Sequence, residues 1–153
     1  MAGEVVGKVL KLAVRTGRHA PMREIESVRA TADGGLAGDV ESEPDRGITL
    51  LASEQWAAAT RELNVELPWY TRRANVLVEG GSMAAWVGSL VSIGEIQVRI
   101  MTESRPCGLM DRFHDGLRAA LTPECRGGVC GHIVKGGVLR VGDLIQIERQ
   151  GTE

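Results

Sequence analysis

Glycine sets the first limit on this chain. Twenty glycines interrupt the 153 residues, and most fall between apolar runs too short to make a long helix. Glycine is unfavourable inside helices and supplies the backbone freedom of tight turns, so the pattern reads as many short strands joined by turns. Alternating apolar residues support this over Val5–Val14, with Gly7 as a bulge, and over Ile25–Ala30. Ile48–Ala52 reads as a short buried strand and Arg73–Glu79 as a strand closed by Gly80-Gly81. Val91–Ile93 and Ile96–Ile100 flank Gly94-Glu95, a hairpin signal. Val129–Val134, Val138–Val141 and Leu144–Glu148 complete the strands, with turns at Gly136-Gly137 and Gly142-Asp143.

Helical spacing occurs twice. Trp56, Ala59, Thr60 and Leu63 recur on one face of residues 53–64, behind Ser53 as an N-cap. Leu109, Phe113, Leu117 and Leu121 share another face, divided at Asp115-Gly116. The expected fold is mostly β with a few short helices: a closed or partly open antiparallel β-barrel over residues 5–149, with 150–153 as a tail.

Composition narrows the function classes. A net charge of -2 with scattered basic residues argues against a nucleic-acid binder or a membrane-surface protein. No apolar run reaches the length of a membrane span, and Met1-Ala2-Gly3-Glu4 has no signal-like apolar core. Three cysteines, an odd number, point to free thiols in a reducing compartment, so a cytoplasmic location is expected.

Cys107 is the residue with the most chemistry around it. It follows a strand pattern in Ser104-Arg105-Pro106-Cys107-Gly108. A thiol beside fixed positive charge suits a nucleophile, a sulfur carrier or a soft-metal ligand, because neighbouring cations favour the thiolate. The alternative is a buried structural cysteine. Arg73 and Asn75 fall on one strand face if the strand is regular; a guanidinium with a neighbouring amide could receive phosphate or a planar heterocycle. Asp45 and Arg46 end a polar loop that would reach a site rim, whereas Gly38-Asp39 reads equally well as turn chemistry. Cys125, Cys130 and His132 lack a usual zinc spacing. No dinucleotide fingerprint is present, and nothing points to zinc, NAD or pyridoxal phosphate.

In order and spacing these pieces resemble the MOSC domain family, named for the C-terminal domain of molybdenum-cofactor sulfurases. The resemblance rests on Gly35-Leu36-Ala37-Gly38-Asp39, Arg46-Gly47-Ile48-Thr49-Leu50-Leu51, Arg73-Ala74-Asn75-Val76, Arg105-Pro106-Cys107, Arg126-Gly127-Gly128-Val129 and Gly136-Gly137-Val138-Leu139-Arg140-Val141-Gly142-Asp143. Within that family it resembles the small stand-alone bacterial type. It implies a β-barrel and a cysteine, Cys107, that carries sulfur or ligates molybdenum. It implies that Arg73 helps to hold a molybdenum cofactor (molybdopterin), with Asn75, Arg105, Asp45, Arg46 and Thr49 at cofactor-side positions. Val40-Glu41 departs from the pattern, since many stand-alone relatives carry His or Arg after the Gly-Asp pair.

The expected function is therefore a sulfur carrier, a molybdenum-cofactor binder, or both, with sulfurtransferase or cofactor-dependent activity in metal–sulfur or cofactor maturation. Its partners would be a sulfur donor such as a cysteine desulfurase and a client metalloenzyme or cofactor, with a second subunit of a homodimer or the client completing the pocket. Two alternatives differ in class. One is a molybdenum-cofactor-dependent reductase of N-hydroxylated compounds that takes electrons from an external donor. The other is a non-catalytic binding module.

Overall fold

The computed structural model describes residues 4–40 and 44–148. Glu41 and the expected tail at 150–153 lie outside them. The described residues form ten strands: β1 Glu4–Arg15, β2 Met22–Ile25, β3 Ser27–Ala30, β4 Ile48–Ala52, β5 Val76–Glu79, β6 Leu90–Ile93, β7 Ile96–Glu103, β8 Val129–Lys135, β9 Gly137–Arg140 and β10 Leu144–Glu148. Three α-helices join them among the described residues: α1 Ser53–Glu62, α2 Gly108–Phe113 and α3 Leu117–Leu121.

Seven strands close into a barrel in the order β10-β6-β7-β8-β4-β5-β1, sealed by pairing of β1 with β10. An odd ring cannot alternate direction throughout, so at least one pair must be parallel. That pair is β4–β5. Parallel neighbours need a crossover connection, and α1 with the 3-10 turn Trp69–Arg72 supplies it. The register places Leu50 opposite Val76, so the segment entering β4 runs alongside the segment entering β5. This pairing builds the functional site.

Hydrophobic burial follows the closure. Val9, Leu50, Val76, Val98, Ile133 and Ile145 fill the barrel interior. A second cluster, with Leu51, Trp56, Trp69, Met110, Leu117 and Leu121, packs the helices on the outer wall. Every residue of β4 is buried because Leu50 points inward while Leu51 lies beneath the helices. Such a doubly covered strand shows no polar alternation.

Three local expectations are corrected. Ile25–Ala30 is divided at Glu26: β2 pairs with β1, whereas β3 pairs with β9 in a separate two-stranded sheet. The strand expected from Arg73 starts at Val76, because Arg73 adopts a left-handed conformation (φ 66°) that ends the 3-10 turn. Ser53 is the first residue of α1 and not its cap; the cap position is Ala52. The bulge at Gly7 and the break at Gly116 stand as expected: the β1–β10 register shifts at Gly7, and Gly116 (φ 89°) separates α2 from α3.

Candidate functional site

A cavity of about 460 Å³ opens where the segments entering β4 and β5 meet the segment leaving β7. Five arginines line it, Arg15, Arg46, Arg72, Arg73 and Arg105, together with Thr49, Ser104, Cys107, Met110 and Gly127. Among the described residues that line it there is no carboxylate.

Each arginine arrives by a different local device. Arg15 ends β1 and is gripped by Asp39, whose carboxylate accepts from the Arg15 backbone N–H (2.7 Å), Nε (3.0 Å) and an amino nitrogen (2.7 Å). The Asp39 side chain is fully enclosed. Gly38, at φ 84°, makes the preceding turn that a side chain would strain. The Gly-Asp pair is thus both turn chemistry and the clamp on a cavity arginine.

Arg72 and Arg73 are adjacent in sequence yet both reach the cavity. A regular strand would send them to opposite faces; the left-handed turn at Arg73 removes that alternation. The Arg73 guanidinium donates to the carbonyls of Ala20 (2.6 Å) and Gly17 (3.1 Å). Arg72 is nine-tenths buried. Its Nε donates to the Gly127 carbonyl (2.9 Å), and one amino nitrogen donates to the Ser104 carbonyl (2.8 Å) and Oγ (3.2 Å). Among the described residues no carboxylate forms an ion pair with Arg72, and its other amino nitrogen has no acceptor.

Burial pushes the Arg72 guanidinium down to about 10. The charge of nearby Cys107 opposes that shift, and Arg46 reinforces it. A buried cation of this kind is stabilised by an anion placed beside it. Arg46 likewise has no ion pair among the described residues. Arg105 is exposed and only loosely paired, 3.9 Å from Glu103.

Cys107 sits at the rim, with its thiol exposed. Ser104, fixed by Arg72 and by its N–H donating to the Gly128 carbonyl (2.9 Å), anchors the segment that leads to it. Gly128 takes a φ of 98°, and a Cβ there would strike the Leu50 carbonyl, so the Arg126–Val129 motif lets this backbone press against β4. The other two thiols differ. Cys130 is fully buried and Cys125 half-buried, and burial pushes both upward toward the neutral form. Among the described residues no three His, Cys, Asp or Glu side chains gather as a metal-binding group, so Cys107, Cys125, Cys130 and His132 do not form one.

The sequence-derived candidates divide accordingly. Cys107, Arg73, Arg105, Arg46 and Thr49 line one cavity. Asn75 does not. It is fully buried behind the cavity wall, its amide oxygen accepting from Thr49 N (3.0 Å) and Thr49 Oγ1 (3.1 Å) and its amide nitrogen donating to Ala13 O (3.2 Å). Asp45 does not either; it approaches His132 Nδ1 at 3.4 Å, while Asp33 meets His132 Nε2 at 2.6 Å. Sequence reasoning missed Arg15, Ser104 and the anchoring role of Arg72. The Arg72-Arg73 doublet was a visible signal for the last, but Arg15 lies at the end of a strand with nothing local to mark it.

Comparison with known proteins agrees with this architecture. No curated protein sequence matches the chain. Solved structures do: the YuaD protein from Bacillus subtilis superposes with a TM-score of 0.78 at 16% identity, covering 95% of this chain and 97% of that one. YiiM from Geobacillus stearothermophilus gives 0.77 at 14% identity, covering 95% and 77%. YiiM from Escherichia coli gives 0.71 at 15%, covering 97% and 71%. At these identities the likeness concerns the fold. The family model for the MOSC domain matches residues 37–146, which span the Gly-Asp clamp, the arginine doublet and the cysteine. The chain therefore belongs to the MOSC domain family.

Proposed function

We propose that the protein is a sulfur carrier in molybdenum-cofactor-related chemistry, with Cys107 as the sulfur-bearing atom. The observation that carries this reading is the one exposed thiol among the described residues, set in a cavity whose described lining has five arginines and no acid. A persulfide on Cys107 is an anion at neutral pH, and it would face the Arg72 and Arg46 guanidiniums, neither of which has an ion pair among the described residues. Ser104, held by Arg72, fixes the segment that presents the thiol. Thiolate is the form that accepts sulfane sulfur, and membership of the MOSC domain family is consistent with a molybdenum-cofactor-related role.

The cavity also fits the molybdenum cofactor that the family implies. Its donor set combines a soft thiol for the metal with guanidinium forks for a phosphate. Cys107 would ligate the metal, while Arg72, Arg73 and Arg46 would hold the phosphate. When bound, that group supplies two-electron redox chemistry, which the chain's own side chains lack.

Protein produced in a host that makes the cofactor tests both statements. A mass increase of about 32 Da on Cys107, absent from Cys107→Ser, is the expected result for a carrier. Stoichiometric molybdenum that is lost in Cys107→Ser is the expected result for cofactor binding. If Cys107 resists thiol reagents in the folded protein and neither signal appears, the proposal is wrong.

A further inference from the structure

We infer that the cavity takes sulfur directly from a small dianionic sulfane-sulfur donor, of which thiosulfate is the simplest. This rests on the carrier reading of Cys107 and adds the class of donor. A thiol that only exchanges sulfur with a protein persulfide needs exposure and a nucleophile. A neighbouring cation favours its persulfide anion, but guanidinium forks in this number, with donors left open among the described residues, suit an oxyanion as well.

The charge inventory points to an oxyanion. Asp39 neutralises Arg15 through a bidentate pair. Arg72 and Arg46 have no ion pair among the described residues, and Arg105 has only the long contact to Glu103. Arg72 is the decisive group. Two of its nitrogens are fixed on Gly127 and Ser104, which leaves the third held rigidly and without an acceptor among the described residues. A guanidinium fixed in this way is a prepared receptor for sulfonate-type oxygens and needs no reorganisation when the ligand arrives.

The reaction balances within the site. The Cys107 thiolate attacks the outer sulfur of thiosulfate, forming a new S–S bond. The bond between that sulfur and the sulfonate sulfur breaks, and its electron pair leaves with sulfite. One negative charge on the thiolate and two on thiosulfate become one on the persulfide and two on sulfite. Like charges must meet for the attack to occur, and the guanidiniums offset that repulsion. Cyanide, as an assay acceptor, takes the sulfur to give thiocyanate and restores the thiolate.

The test is made on the reduced full-length protein with two donors, thiosulfate and cysteine persulfide, the second lacking sulfonate oxygens. Thiosulfate should add about 32 Da to Cys107 and release one equivalent of sulfite. With cyanide present, thiocyanate should accumulate over several turnovers. Arg72→Gln and Arg46→Gln should each raise the thiosulfate concentration for half-loading about tenfold, the loss of one charge-assisted contact. Arg46 holds no scaffold carbonyl, so Arg46→Gln keeps the test valid if Arg72→Gln fails to fold. Loading by cysteine persulfide but not by thiosulfate would overturn the donor class and leave the carrier reading intact. Loading by neither donor would overturn both. Equal thiosulfate loading in the wild type and both folded variants would overturn the role of the guanidiniums.

Discussion

Replacing Asn75 with alanine separates a structural amide from a ligand-binding one. The Asn75 side chain ties three strands together: its oxygen holds Thr49 of β4, its nitrogen holds Ala13 of β1, and its own backbone leads into β5. Thr49 is buried and Ala13 fully so, so water cannot replace the lost partner at Ala13 or readily reach the one at Thr49. Truncation leaves the Thr49 N–H and one acceptance site of the Ala13 carbonyl unmatched, at about 1–3 kcal/mol for each buried orphan. Thr49 Oγ1 can rotate and recovers part of its bonding, so a net loss of about 3 kcal/mol is expected. For a domain of this size, that lowers the melting temperature by about 6–12 °C. Asn75→Asp should not rescue it, because a carboxylate would set an acceptor against the Ala13 carbonyl where the amide now donates over 3.2 Å. Urea and thermal unfolding measure the loss directly. An unchanged melting temperature combined with loss of sulfur loading at Cys107 would refute the argument and place the amide in contact with ligand.

Two further predictions concern the groups around the cavity. Asp39→Asn keeps the shape of the Arg15 clamp but removes its charge and turns an amide donor toward a guanidinium; a loss of about 2–4 kcal/mol in urea unfolding is expected, and an unchanged midpoint would show that the pair is fully solvent-screened. His132 bridges Asp33 and Asp45, and hydrogen bonding to Asp33 is the main cause of its raised pKa. Since only the imidazolium donates to both carboxylates, its stabilisation is full below the unfolded value of about 6.5 and fades as pH rises through the higher folded value. Wild type should therefore exceed His132→Gln in stability by more at about pH 5.5 than at about pH 8.5, and a pH-independent difference in unfolding midpoints would contradict this.

Where sequence and structure part company is instructive about the site. Reading Arg73 and Asn75 as neighbours on one strand face assumed regular period-two geometry. Arg73 lies instead in a left-handed turn, which swings Arg72 and Arg73 into the cavity and leaves Asn75 inside the wall. Glycine punctuation and alternation located the strands well, because those signals are local. They could not assign partners, so Ile25–Ala30 read as one strand although its halves belong to different sheets.

The sequence by itself determined a strand-rich domain with short helices, and it singled out Cys107, Arg73, Arg105, Arg46 and Thr49. Turn residues and hydrophobic periodicity act over a few positions, and motif order survives without coordinates. Only the tertiary structure decided that these residues share one cavity and that Arg15 and Ser104 belong with them. It also decided that Asn75 and Asp45 face elsewhere. The physical reason is closure of the seven-strand ring: its one parallel pair brings the entries to β4 and β5 side by side, and Arg72 joins them to the segment carrying Cys107. Contacts between residues so far apart in sequence are set by strand register and barrel closure, which no local pattern encodes.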